Sequence, residues 1–86
     1  MKTHIPNITT QDRAAILAAY GESEHLCREA ERKRITTISR SRAWELEQQG
    51  KFPARRRLGS NSCAWLLSDL LLWIHQQPQA TPRQAA

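Results

Sequence analysis

Residues 38–65, ISRSRAWELEQQGKFPARRRLGSNSCAW, contain the pattern that decides the fold. Ser39 can cap a short amphipathic helix over 40–49, because its hydroxyl can accept a hydrogen bond from a backbone N–H of the first turn. A glycine and then Pro53 would end that helix. The sequence period then changes, and two short segments flank the turn residues GSNS. Residues 54–65 therefore predict a β-hairpin.

Two further helices are predicted upstream of this stretch. Thr9 or Thr10 can cap the first helix, and Ser23 can cap the second, EHLCREAERKR. The four residues ITTI that follow leave room only for a tight connection to the helix that Ser39 begins.

The last predicted element is SDLLLWIHQQ, residues 68–77. Ser68 would cap this helix, and Asp69 would lie at the favourable end of the helix dipole. Its leucine, tryptophan and isoleucine side chains form a broad apolar surface. Residues 78–86, PQATPRQAA, contain two prolines and no apolar period, so we expect a flexible tail there.

The predicted elements follow one another as helix, tight turn, helix, arginine-bearing hairpin and closing helix. This is the element order of a winged helix-turn-helix domain. The predicted fold is mainly α with a small β-hairpin and has an additional N-terminal helix. We expect a helical N-terminal extension over 1–23, a winged helix-turn-helix DNA-binding domain over 24–77 and a flexible tail over 78–86. A chain of 86 residues leaves room for one domain.

Positive charge is concentrated in one third of the chain. Residues 28–57 hold ten Lys or Arg against four Glu, whereas the segments on either side are close to neutral. A basic block beside apolar-patterned segments is typical of a surface that binds a polyanion. A solvated basic surface has the same composition, so the charge alone leaves both interpretations open.

The composition argues against a membrane protein and against an enzyme. The longest apolar stretch, CAWLLSDLLLWI, is too short to span a bilayer, and MKTHIPNITT lacks the apolar run of a signal peptide. We therefore expect a cytoplasmic protein without a membrane partner. No arrangement of Ser, Cys or carboxylate residues supports catalysis, so the sequence predicts a non-enzyme without a cofactor or a small-molecule substrate.

The cysteines and histidines have no spacing that predicts a disulfide or a metal site. Cys27 and Cys63 are expected to be small buried hydrophobic residues in a reducing compartment. His4, His25 and His75 are scattered along the chain, so no metal site is expected.

One set of motifs within residues 35–77 comprises Ser39, Trp44, Gly50-Lys51-Phe52-Pro53, Leu58-Gly59, Trp65, Asp69-Leu70 and Trp73. At these positions the chain resembles the AlpA family of phage and prophage regulators. This resemblance implies a MerR-like winged-helix fold and sequence-specific binding of double-stranded DNA by a small regulator of a mobile element. Short excisionases share the fold, so the protein could be a transcriptional regulator, an excisionase or both. It could also bind integrase and associate with itself on DNA.

The resemblance implies a recognition helix over 40–49 in the major groove and a basic wing over 54–65. Arginines at a helix N-terminus can pair with guanine or clamp phosphates, serines can donate to phosphates, and Glu45 could accept from cytosine or be merely solvated. Arg55 and Arg57 are expected to point outward from the wing. The predicted DNA contacts are Ser39, Arg40, Ser41, Arg42, Glu45, Arg55, Arg57, Asn61, Lys33 and Arg34.

Core packing is the expected role of the aromatic residues. Trp44 is expected to face inward with Ala43 and Leu46, while Leu58 and Trp65 would cover the core. Stacking platforms for single-stranded bases are the alternative role for the tryptophans.

Two positions depart from the pattern of the family. Its members usually have glycine where this chain has Thr37, and a β-branched residue resists positive φ, so we expect the turn to take another backbone path. They also have an aliphatic core residue where this chain has Arg32. Either the second helix is displaced, so that Leu26, Cys27 and Ala30 supply the core, or it is poorly packed.

A different class of function also fits the sequence. The basic surface could bind an acidic protein, which would make the chain an interaction adaptor without sequence-specific DNA binding.

Overall fold

The computed structural model describes residues 8–80. Three short strands form one antiparallel sheet in the order β1-β3-β2, and helices pack around it. Residues 1–7 of the predicted extension and 81–86 of the predicted tail lie outside this range. The elements are α1 (Thr10–Tyr20), β1 (Leu26–Cys27), α2 (Glu29–Thr36), α3 (Arg40–Gln48), β2 (Arg56–Arg57), β3 (Cys63–Leu66) and α4 (Leu67–Gln76).

The predicted architecture, mainly α with a winged helix-turn-helix, is confirmed. α2 and α3 form the helix pair, β2 and β3 form the wing, and α4 closes the domain. None of the helices within residues 8–80 has both the length and the hydropathy that a membrane crossing requires. The hydrophobic core consists of Ile16, Cys27, Ala43, Phe52, Trp65, Leu67, Leu70 and Leu71.

The additional N-terminal helix, α1, begins with a capping box. Thr9 Oγ1 accepts a hydrogen bond from the amide of Asp12 at 3.0 Å, and the Asp12 carboxylate accepts one from the amide of Thr9 at 3.1 Å. Gly21, with φ of 65°, closes the helix. α1 packs on α4 through Ile16, and Arg13 pairs with Asp69 at 2.7 Å. The helix is therefore part of the folded domain.

The prediction of a helix starting after Ser23 is wrong. Leu26 and Cys27 form strand β1 instead, in register with Leu66 and Trp65 of β3, and α2 begins only at Glu29. β1 covers the edge of β3 that the wing leaves open, and this pairing satisfies backbone groups of both strands. Tertiary pairing thus overrides the local capping signal.

Ser68 does not cap the last helix, because α4 already begins at Leu67. The Ser68 side chain is buried, and its hydroxyl donates to the Glu24 carboxylate at 2.6 Å and accepts from Arg13 at 2.7 Å. The second Glu24 oxygen accepts from the Ser68 amide at 3.0 Å. A carboxylate from outside the helix therefore satisfies its N-terminal N–H, as the dipole favours.

Arg32 is fully buried, although the family pattern has an aliphatic residue there. Its guanidinium binds the Glu29 carboxylate, donates to Thr36 Oγ1 at 3.1 Å and donates to the backbone carbonyl of Ile38 at 2.9 Å. It also lies 5.6 Å from the centre of the Trp65 ring. The helix is therefore well packed around an arginine, and of the three residues proposed to replace it in the core only Cys27 is buried.

Thr37 has φ of 65°, so the expectation that the turn avoids the left-handed conformation is wrong. The Thr37 amide donates to the carbonyl of Lys33 at 2.7 Å and closes α2 in the way that a glycine C-cap would. The turn is held by the Arg32 contacts on both sides of it, and these contacts offset the steric cost of a β-branched residue at positive φ.

Replacing Arg32 should strongly destabilise the protein. Arg32→Ala leaves a cavity and removes the partner of Glu29, so we expect the free energy of unfolding to fall by about 3 kcal/mol or more, as when a buried charged pair loses one member. Urea denaturation measures this value. Lys33→Ala, on the exposed side of the same helix, is the matched control and should change it by no more than about 0.5 kcal/mol. Equal losses in both variants would contradict the structural role of Arg32.

Thr37→Gly should stabilise the protein. Glycine removes a left-handed strain of about 1–2 kcal/mol and costs about 0.5–1 kcal/mol in chain entropy, so the net gain in unfolding free energy should be about 0.5–1 kcal/mol. Thr37→Ala removes the same hydroxyl but keeps the strain, so it should give no gain. A larger gain from alanine than from glycine in urea denaturation would show that the hydroxyl, and not φ, is the source of the effect.

Candidate nucleic-acid interface

The helix α3 begins as predicted. Ser39 Oγ accepts a hydrogen bond from the amide of Arg42 at 3.1 Å, and the Ser39 carbonyl accepts one from the amide of Ala43. The first backbone N–H groups of a helix have no partner inside it and make its N-terminus positive. Arg40, Ser41 and Arg42 extend from this end and are exposed. The start of α3 therefore presents arginines, a hydroxyl and a positive helix end together.

One face of α3 packs on the core and leaves the other face free. Ala43 is buried and Leu46 is half-buried, as predicted. Arg42 and Glu45 form an exposed ion pair, with 3.1 Å between the Arg42 guanidinium and the Glu45 carboxylate. An exposed pair at this spacing contributes only about 0.2–0.5 kcal/mol, so either side chain can exchange its partner for another ligand at little cost.

The prediction that Trp44 faces the core is wrong, because Trp44 is 53% exposed. At 3.6 residues per turn, it lies about a third of a turn away from the direction in which Ala43 and Leu46 point. Its ring is therefore on the outer side of α3. Of the other tryptophans, Trp65 is buried in the core, and Trp73 is half-buried and donates its indole N–H to the carbonyl of Lys51 at 2.8 Å.

The wing is a short hairpin whose side chains differ in part from the prediction. Arg56 pairs with Ala64, Arg57 pairs with Cys63, and the next amide, that of Leu58, donates to the Ser62 carbonyl at 2.7 Å. Arg57 is exposed as expected. Leu58 does not cover the core, because it lies beyond the last strand pair and is 38% exposed.

Arg55 does not point outward from the wing. Its guanidinium lies 5.1 Å from the centre of the Trp65 ring, and its Nε donates to the Glu47 carboxylate at 3.0 Å. The other Glu47 oxygen accepts from the Arg55 amide at 3.2 Å. Burial lowers the pKa of Arg55, but the hydrogen bond and the charge of Glu47 outweigh it, so the pKa is raised. Arg55 therefore joins the wing to α3.

Arg56 is exposed and lies beside α4, away from the groove that Arg55 and Arg57 line. Its guanidinium is 4.0 Å from the Asp69 carboxylate, and half of the side chain is open to solvent. Arg55 and Arg57 both lie on the side of the wing that faces Trp44 and Glu47 of α3, so these two arginines share one face of the hairpin, as the alternation predicts, and Arg56 lies on the other face. Sequence reasoning missed Trp44 as an exposed member of the surface beside α3, although its angle on the helix differs from the angles of Ala43 and Leu46.

An open groove runs between α3 and the wing. It brings together Trp44 of the helix and three predicted contact residues of the wing, Arg55, Arg57 and Asn61. Lys33 and Arg34 are exposed in the last turn of α2, and Arg34 lies 3.8 Å from Glu31. The residues that line the groove are Trp44, Glu47, Gln48, Arg55, Arg57, Ser60, Asn61, Ser62 and Cys63.

Comparison with known proteins adds one match to this geometry. Residues 25–78 match the model of the family described as "Prophage CP4-57 regulatory protein (AlpA)". No curated protein and no solved structure gives a match. The matched range contains the whole sheet, the helix pair and α4, and it leaves out α1. The chain thus belongs to the AlpA family of prophage regulatory proteins.

Proposed function

We propose that this protein regulates a prophage or another mobile element by binding double-stranded DNA sequence-specifically through a domain formed by residues 24–77. The observation that carries the proposal is the outer face of α3. Arg40 and Arg42 are exposed at its N-terminus, and the exposed Arg57 of the wing lies beside the same helix. This combination of helix end and basic hairpin has the form that enters a major groove and follows the adjacent backbone.

The recognition helix supplies the base contacts in this proposal. Arg40 and Arg42 can each donate two hydrogen bonds to a guanine edge, while Ser39 and Ser41 bind phosphate oxygens. Glu45 orients Arg42 through their ion pair until DNA competes for either side chain. Trp44 adds a flat apolar surface that suits a thymine methyl group or a sugar. Sequence discrimination therefore comes from the first two turns of α3.

The wing and α2 supply phosphate contacts. Arg57 and Asn61 lie along the backbone or reach the minor groove, and Lys33 and Arg34 approach the backbone from the other side of the turn. Arg55 acts by positioning, since its contacts with Glu47 and Trp65 fix the wing against α3. The proposed contacts are Ser39, Arg40, Ser41, Arg42, Glu45, Arg57, Asn61, Lys33 and Arg34.

Two roles fit this surface. A regulator of transcription would bind an operator that overlaps a promoter. An excisionase would fill closely spaced direct repeats near an attachment site cooperatively, bend the DNA and contact integrase. The membership of a regulatory family supports the first role, and the second depends on the arrangement of binding sites and on self-association along DNA.

Selection of bound sites from random duplexes tests the proposal. We expect one defined motif, and tandem copies of it in element-derived DNA if the protein acts in excision. Five exposed cations, Lys33, Arg34, Arg40, Arg42 and Arg57, predict a slope of log affinity against log salt near −5. Failure to enrich a motif together with a slope near −1 would favour the basic adaptor, which binds an acidic protein.

Arg42→Ala and Arg57→Ala separate base reading from phosphate binding. Both side chains are exposed, so neither substitution should change the unfolding free energy by more than about 0.5 kcal/mol. Arg42→Ala should cost about 1–3 kcal/mol on the selected site and reduce its preference over mismatched sites. Arg57→Ala should weaken binding to all duplexes equally. The measurement is a binding titration on matched and mismatched duplexes, and identical behaviour of the two variants would refute this division of roles.

A further inference from the structure

Three side chains that could ligate a metal ion meet where β1 leads into α2. One ligand atom each from His25, Cys27 and Glu31 lie within 4.8 Å of one another, and His25 Nε2 is 2.8 Å from a Glu31 oxygen. These residues belong to neither the recognition helix nor the wing. No other group of three or more such side chains is found within residues 8–80.

The local backbone explains why these side chains converge. His25 and Cys27 are two residues apart in extended chain, so they point to the same side. Pairing of Cys27 with Trp65 fixes this segment, and Glu31 reaches back from the first turn of α2. His25 is further held by a contact of 3.0 Å between its Nδ1 and the Ser23 carbonyl. An orienting partner of this kind is typical of histidines that ligate metals through the other ring nitrogen.

The three groups differ in exposure in a way that suits an ion entering from solvent. Cys27 is fully buried and forms the floor of the cluster. The side chains of His25 and Glu31 are 43% and 32% exposed and form its open side. The imidazole and the carboxylate therefore lie between the buried sulfur and solvent.

A hydrogen bond between His25 and Glu31 holds two members of the cluster together. Burial, followed by the charge of Glu31, raises the pKa of the Cys27 thiol to about 12. The hydrogen bond to Glu31 raises the pKa of His25, and the bond to His25 lowers the pKa of Glu31. The Glu31 carboxylate thus accepts a hydrogen bond from His25, and a cation would replace the proton that this bond shares.

We propose that His25, Cys27 and Glu31 bind one thiophilic divalent cation of the Zn²⁺ type, with water as the fourth ligand. One sulfur, one imidazole nitrogen and one carboxylate oxygen are a ligand set that Zn²⁺ accepts and that Mg²⁺ and Ca²⁺ do not favour. Zinc–ligand distances of about 2.0–2.3 Å separate tetrahedral ligand atoms by about 3.3–3.7 Å. The ligand atoms lie within 4.8 Å of one another, so side-chain rotations would have to bring the most widely separated atoms closer together.

Binding of the cation exchanges protons for the metal. The Cys27 thiol forms the metal–sulfur bond by releasing its proton to solvent, and His25 releases its proton if it is charged; nothing is oxidised or reduced. Affinity should therefore rise with pH. The bound ion would join β1 to α2 across Arg28, immediately before the helix-turn-helix.

Cobalt(II) tests the site because it occupies zinc sites and gives visible spectra. The full chain, stripped with chelator, should bind one equivalent of Co²⁺ with a thiolate-to-cobalt charge-transfer band and intense tetrahedral d–d bands, and Zn²⁺ should abolish both. Cys27→Ser should remove the charge-transfer band. Cys63→Ser and His75→Ala, the matched controls, should leave stoichiometry and spectra unchanged. A band that is absent from the wild type, or that depends on Cys63, overturns the proposal.

His25→Ala keeps the test decisive if Cys27→Ser does not fold, since His25 is exposed and outside the core. We expect its Zn²⁺ affinity to fall by at least about tenfold, the size seen even for groups that only orient a ligand. Zn²⁺ should raise the melting temperature of the wild type and not that of His25→Ala. Equal Zn²⁺ affinity and equal thermal shifts in both proteins overturn the proposal. No measurement here involves DNA, so failure leaves the proposed function untouched.

Discussion

The helix-turn-helix depends on one buried cation, the guanidinium of Arg32. It joins the first turn of α2 through Glu29 to the last turn through Thr36, and it binds the carbonyl of Ile38 directly before the cap of α3. A buried charge is tolerated only when its hydrogen bonds are satisfied. The turn must therefore keep the conformation in which all of these contacts form. The strained backbone at Thr37 persists inside it. The orientation of α3 relative to α2 follows from that arrangement.

The ring of Trp65 extends this constraint to the wing. Arg32 and Arg55 both place a guanidinium near it, at 5.6 Å and 5.1 Å from the ring centre. Arg55 also holds Glu47 of α3, so α2, α3 and the wing are all positioned by contacts around one indole on the central strand β3. Cation–ring contacts of about 0.5–2 kcal/mol each are small singly, but here they connect elements that share few other contacts. The relative placement of α3 and the hairpin is therefore built into the core.

Local signals in the sequence predicted most of this fold. Helix-capping and helix-ending residues predicted α1, α3 and the hairpin, because Thr9, Ser39 and Pro53 act on their immediate neighbours. β1 was missed because a strand of two residues has no period and exists only through its partner β3. The burial of Arg32 was missed because no pattern distinguishes a buried arginine from an exposed one; its partners come from the turn and from β3. On the candidate surface, the exposure of Arg40 and Arg42 followed from the cap, whereas the inward position of Arg55 depends on Glu47 and Trp65, which no local pattern identifies as its partners.

The wing is the least anchored part of the surface, and this has an evolutionary consequence. It has two paired positions on β2, and its tip, residues 59–62, contributes nothing to the core cluster. Substitutions, insertions or deletions at the tip therefore cost little folding free energy, whereas the same changes near Arg32 or Trp65 disturb the scaffold. Relatives of this chain can thus diverge at the tip without losing the fold, while Arg55 keeps the hairpin in place.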